Sequence, residues 1–175
     1  MIKKEKYSAA ILVIGDEILS GRTQDTNSNF IAKEMEIIGI DTSQIRVIPD
    51  EKNTIIESVN ELRVKNDYLF TTGGIGPTHD DITADSIAEA FRVDLEINLE
   101  AYETLKKYYE KIGSEFNDIR QRMARIPKGA TLIENSISAA PGFKIENVFV
   151  FAGIPKIMRA MSVSYTHLRA HETQT

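Results

Sequence analysis

The sequence predicts an α/β protein, a three-layer α/β/α sandwich around a mostly parallel sheet. Three observations carry this. Compact apolar runs of strand length, led by Ala9-Ala10-Ile11-Leu12-Val13-Ile14, are continuous rather than alternating, as strands covered on both faces must be. The segments between them repeat apolar residues at i, i+3, i+4 and i+7, the period of a helix with one buried face. Strands and helices alternate, which implies βαβ units with right-handed crossovers and helices on both sides of the sheet.

The elements follow in order. The first strand, Ala9 to Ile14, ends at Gly15. A helix starts near Thr26 to Ser28, which can cap it, buries Phe30, Ile31, Met35 and Ile38, and ends at Gly39. Ile45 to Ile48 is a second strand, closed by Pro49. Thr54 can cap the next helix, with Ile55, Ile56, Val59 and Leu62 inward. Tyr68 to Thr71 is the third strand, and Asp85 to Phe91 lies in the third helix. The middle is more helical: Leu99, Tyr102, Leu105, Tyr109 and Ile112 mark one helix, ended by Gly113, and 116–124 a shorter one. Thr131 to Ile133 is a short strand, and 143–145 and 148–151 form a hairpin turning at Glu146-Asn147. Pro155 opens a last helix. Apolar patterning fades after Met161, which sets a domain at 1–161 and a polar tail at 162–175, disordered or a read-through sequence foreign to the fold.

The 175 residues suit one domain with a full core, and 42% hydrophobic with 27% charged residues is ordinary for a soluble protein. A net charge of −5 argues against nucleic acid, which wants a concentrated basic surface. There is no cysteine, hence no disulfide, thiol nucleophile or thiolate-bound zinc. The basic start, Met1 to Lys6, runs into a strand too short for a signal-peptide core, and no run reaches membrane-spanning length. A cytoplasmic protein with no membrane partner is expected.

Chemistry concentrates in Thr71-Thr72-Gly73-Gly74-Ile75-Gly76-Pro77-Thr78-His79-Asp80-Asp81-Ile82-Thr83, a strand–loop–helix junction. Glycines let a ligand approach bare backbone N–H groups, and a helix N-terminus just downstream favours a phosphate. Asp80 and Asp81 supply oxygens for a hard metal ion or for acid–base work. The pattern is neither a Walker A loop, since no Gly-Lys-Ser/Thr follows, nor a dinucleotide fingerprint. In open α/β sheets, ligands bind beyond the carboxyl ends of the strands. Two further such ends carry carboxylates, Asp16 and Glu17 after the first strand and Asp50 after the second. His79 reads as a metal ligand, a proton donor or a plain loop residue. Arg120, Arg122 and Arg125 are within reach of a phosphate but read first as a solvated helix face.

The Thr71-to-Thr83 run, the Gly15-Asp16-Glu17-Ile18-Leu19 block with Gly21 and Asp25-Thr26-Asn27, the Asn135-Ser136 and Ala140-Pro141-Gly142-Phe143 block, and Gly153-Ile154-Pro155 occur in that order. Together they resemble the MoaB/MogA-type molybdopterin-binding domain family, in particular the N-terminal domain of competence/damage-inducible protein A (CinA), over about residues 8 to 161. The resemblance implies a homo-oligomer, often trimeric, with a pocket for a nucleotide or pterin pyrophosphate. It implies catalytic roles for Asp50 and Asp81, ligand contacts from Thr72, Gly73, Gly74, Gly76, Thr78, Thr83, Ser136, Pro141 and Gly142, and a divalent metal (Mg, Mn or Co) on Asp16, Glu17, Asp80 and Asp81. The CinA branch implies metal-dependent hydrolysis of nucleotide pyrophosphates such as ADP-ribose or FAD. The other branch implies molybdopterin binding or adenylylation in molybdenum cofactor synthesis, and a non-catalytic binding module is the third reading. Ile75 stands where the adenylylating branch has Thr. Ala152 stands where the family usually has Pro, and Ile157 where CinA-like chains usually have Glu. The CinA amidohydrolase domain is absent, so nicotinamide mononucleotide deamidation is not expected.

Overall fold

The computed structural model describes residues 6–172, with side chains through 163. The lead-in at 1–5 and positions 173–175 lie outside the described residues. The elements are β1 (Tyr7–Ile14), α1 (Asp16–Leu19), α2 (Asn27–Ile37), β2 (Ile40–Ile48), α3 (Lys52–Lys65), β3 (Tyr68–Thr72), α4 (Thr83–Ala90) and β4 (Leu95–Ile97). After these come α5 (Leu99–Lys111), α6 (Asp118–Gln121), β5 (Arg125–Pro127), β6 (Thr131–Ile133), β7 (Gly142–Ile145), β8 (Val148–Phe151) and α7 (Pro155–Glu172).

Six strands form one sheet in the order β2-β1-β3-β8-β7-β6. β1 pairs in parallel with β2 and β3, and β3 with β8, while β7 and β6 run antiparallel. The continuous apolar run in β1 is explained by its two faces. Ala10, Leu12 and Ile14 pack with Ile55, Val59, Leu62 and Ile87 of α3 and α4. Ala9, Ile11 and Val13 pack with Ile31, Met35, Met158 and Met161 of α2 and α7. Helices thus cover both faces, and the expected three-layer sandwich is the fold found. Phe70 stacks on Phe149 and Phe151 at centroid distances of 5.1 and 6.0 Å. All three are fully buried, each stabilising by roughly 1.5–3 kcal/mol.

Local departures from the sequence reading have physical reasons. β2 begins at Ile40, not Ile45, because Asp41-Thr42-Ser43-Gln44 lie on a sheet edge where polar side chains meet water. A register shift between Ala9 and Ala10 takes up Ser43 there. α2 is capped by Asp25, whose Oδ1 accepts the Ser28 N–H at 3.1 Å, rather than by Thr26. α3 begins at Lys52 with no side-chain cap. Between α4 and β6 a two-stranded antiparallel pair, β4 with β5, clamps the helical middle. Leu99 and Ile112, expected inward, are exposed, and Ala101 and Leu105 carry the buried face of α5. Position 162 is interior to α7, so no change of backbone marks a boundary there. Among the described residues no helix is long and apolar enough to cross a membrane.

Candidate functional site

The carboxyl ends of β1, β3 and β8 meet under the glycine loop. Gly73 donates its N–H to Phe151 O at 3.1 Å and has φ +104°. A Cβ there would sit 2.1 Å from the Ile14 carbonyl oxygen, so only glycine lets β3 turn off the sheet against β1. At Gly74, φ +73°, a Cβ would sit 2.1 Å from Thr83 Oγ1. Thr83 is fully buried, donates Oγ1 to Gly73 O at 2.9 Å, and donates its N–H to Gly74 O at 3.0 Å. The loop is thereby fastened to the first turn of α4. Thr72 donates to Ala152 O at 2.9 Å and accepts from Asn27 Nδ2 at 2.8 Å, tying the loop's start to the β8–α7 link.

Carboxylates line the same end. Asp16 N–H donates to Asp50 Oδ2 at 3.0 Å, and Asp50 N–H donates to Asp16 Oδ1 at 3.1 Å. This reciprocal pair clips the ends of β1 and β2 together. The Asp50 carboxyl is held above its ordinary value of 3.8, first by partial burial and then by Asp16, Glu17 and Asp81, against the opposing Asp16 N–H. Asp81 Oδ2 accepts from Thr78 N–H at 2.9 Å and Thr78 Oγ1 at 2.8 Å. Thr78 therefore orients an acid. Asp16, Asp50 and Asp81 each keep one oxygen with no donor among the described residues, oxygens of the kind a hard cation takes. No group of three acids or histidines stands close enough to cage a metal among the described residues. An ion there would need oxygens from a ligand and from water. His79 and Asp80 face solvent, 3.2 Å apart and 90% and 80% exposed.

Two clefts flank the loop. One, shallow and open to solvent, is lined by Gly74, Gly76, Asp81, Arg122, Arg125 and Pro141 among others. The other, also shallow, lies between Glu17, Thr26, Asn27, Gly73, Gly153 and Pro155. Glu17 thus faces the second cleft, apart from Asp81.

The chain matches the family model "Probable molybdopterin binding domain" over residues 10–169. The chain belongs to the molybdopterin-binding domain family. A protein of Pyrococcus furiosus is 38% identical over 168 residues, covering 87% of this chain and 66% of that protein. One from Archaeoglobus fulgidus is 38% identical over 148 residues, covering 85% and 62%. This chain spans 60% to 66% of the length of such curated relatives. The crystal structure of the protein CinA from Thermoplasma acidophilum, described as of unknown function, is 30% identical with a TM-score of 0.85, covering 94% of this chain and 98% of that one. The tungsten cofactor synthesizing protein MoaB from Pyrococcus furiosus, 20% identical with a TM-score of 0.59 and covering 97% and 98%, shares the fold.

In this molybdopterin-binding domain the Asn135 block fixes the turn that leads to Pro141, which lines the first cleft with the glycine loop. Asn135 Oδ1 accepts from Ile137 and Ser138 N–H at 2.9 and 3.2 Å, and Nδ2 donates to Ala140 O at 3.0 Å. Pro141 is thereby set in the first cleft, Gly142 is buried against Val150 O, and Ser136 stays exposed. Ile157 packs partly buried on the α2–α7 side of the core, as its apolar side chain requires. The arginines correct the sequence reading, because they are no solvated helix face. Arg120 donates to Ser114 Oγ and Glu115 O and lies 4.6 Å over the Tyr109 ring. Arg125 pairs with Asp85 of α4 at 3.3 and 3.2 Å. Arg122 lines the first cleft, the second of the two places the sequence allowed it, because α6 ends at Gln121 and a 3-10 turn redirects the next side chains.

Proposed function

We propose that this domain binds a nucleotide or pterin pyrophosphate at the Gly73-to-Thr83 loop and hydrolyses ADP-ribose-type nucleotides with a divalent ion. The observation that carries the reading is the Asp16–Asp50 pair at the end of the sheet, with Asp81 near enough to help raise the Asp50 carboxyl, beside a loop of bare backbone. In the reaction a water oxygen adds to one phosphorus of ADP-ribose, the bridging P–O bond breaks, and AMP and ribose 5-phosphate leave. Asp50 accepts the proton of the attacking water, a role its raised affinity suits. Asp81, held by Thr78, positions that water. The glycine loop holds phosphate oxygens through backbone N–H groups. Asp16 and Asp81 would each offer an oxygen to a Mg, Mn or Co ion, with ligand phosphates and water completing its shell, and the ion when bound would supply positive charge to offset the negative charge developing on the phosphates; Glu17, in the second cleft, and solvent-facing Asp80 stand apart. The domain works as a homo-oligomer in this reading, which sedimentation measures.

The test is incubation of the chain with ADP-ribose or FAD and each of the three metals. Release of AMP, lost in Asp50→Asn and Asp81→Asn, supports hydrolysis, and no AMP at any metal concentration refutes it. The family model's description favours a second reading, molybdopterin binding, to which adenylylation would be the added chemistry. ATP-dependent formation of adenylylated molybdopterin would support that one instead.

A further inference from the structure

Arg122 has no part in the chemistry above, and no hydrogen-bond or ion-pair partner of its side chain stands among the described residues. It opens the 3-10 turn Arg122–Ala124 between α6 and β5 and lines the cleft that also holds Gly74, Gly76 and Asp81. Its Nε is buried with no hydrogen-bond partner, and its side chain makes no ion pair among the described residues. Its neighbours differ: Arg120 is spent on Ser114 and Glu115, and Arg125 on Asp85. The near acid, Asp81, has Oδ2 committed to Thr78. In the same lining, the N–H groups of Ile75 and Gly76 donate to nothing among the described residues.

A half-buried guanidinium with no partner is costly until an anion arrives. Its planar fork matches two oxygens of one phosphate, which a lysine cannot imitate. The same lining carries one acid, Asp81, so the cleft is bipolar: Asp81 repels an anion and Arg122 attracts it. We infer that Arg122 clamps a phosphate of the bound pyrophosphate in the cleft it lines with the glycine loop and sets which way round the ligand lies. This rests on the reading that the site takes a pyrophosphate, but not on hydrolysis.

The experiment uses the full chain with inorganic pyrophosphate and ADP-ribose as probes, by calorimetry with Mg present. Arg122→Ala and the similar-sized, uncharged Arg122→Gln should bind pyrophosphate about 10–100-fold more weakly. Arg122→Lys should recover part of that. The dependence of log Kd on log salt should flatten in the uncharged variants, and KM for ADP-ribose should rise more than kcat falls. Unfolding midpoints show which variants are folded, and if Ala fails to fold, Gln and Lys decide. Pyrophosphate binding within about twofold of wild type in a folded Gln or Ala variant overturns the clamp. Arg122-dependent binding without AMP release leaves the clamp standing and removes hydrolysis. AMP release with Arg122-independent binding does the reverse. A wild-type chain that binds neither probe at millimolar concentration removes both.

Discussion

Replacing Gly73 with alanine would place a methyl carbon 2.1 Å from the Ile14 carbonyl oxygen, far inside contact distance. That oxygen belongs to a central strand paired on both sides, so it has little room to give. The backbone term, from a side chain at positive φ, costs about 1–2 kcal/mol. Forcing the overlap adds about 1–3 kcal/mol, as overpacking does elsewhere. The total is about 2–5 kcal/mol, and at roughly 2–4 °C per kcal/mol for a chain this size the midpoint should fall by about 5–20 °C. Gly113→Ala is the matched control, with φ +68° and nothing within 4 Å of the added carbon. It should lose the backbone term alone, about 1–2 kcal/mol. Urea and thermal unfolding measure both, and calorimetry at a temperature where both are folded should show weaker pyrophosphate binding only for Gly73→Ala. Equal losses in the two variants would refute the argument that the Ile14 approach sets the loop.

Asp50→Asn should raise the unfolding midpoint near pH 7 and leave it unchanged near pH 3, while abolishing AMP release. The folded state binds the Asp50 proton more tightly than the unfolded chain does. Its ionisation therefore opposes folding from about the ordinary value of 3.8 upward, fully once pH exceeds the folded value. Asp85→Ala removes both partners of an Arg125 whose Nε already has none, and urea titration should show a loss of about 1.5–3 kcal/mol. Thr83→Val keeps the shape of a fully buried side chain but strands the Gly73 carbonyl, for about 1–3 kcal/mol and weaker ligand binding, which Thr83→Ser should restore.

The sheet was legible because β1 and β8 are buried on both faces, and such burial writes itself as long apolar runs, with a shorter one, Tyr68-Leu69-Phe70, in β3. The Thr71-to-Thr83 loop was legible because its glycines answer steric demands that no other residue meets. What escaped the sequence was set by partners far along the chain. The polar half of β2 forms a strand only because β1 offers it a ladder. β4 and β5, three residues each, have no periodicity to display. The exchange of hydrogen bonds between Asp16 and Asp50 and the cleft position of Arg122 depend on the angle at which loops leave the sheet, which spacing does not encode.

The strand order has a consequence during synthesis. β3 lies between β1 and β8, so half of its backbone N–H and C=O groups wait for a partner made long afterward. The ribosome adds roughly 5–20 residues per second, so the stretch from Thr72 to Val148 takes on the order of 4–15 s. For that time Leu69 and Phe70 border an open, flat, apolar edge of the kind that joins neighbouring chains. The nascent chain should therefore be aggregation-prone until β8 emerges. Ribosome-bound chains ending before Val148 should recruit more chaperone than those ending past Phe151, because β8 closes the edge.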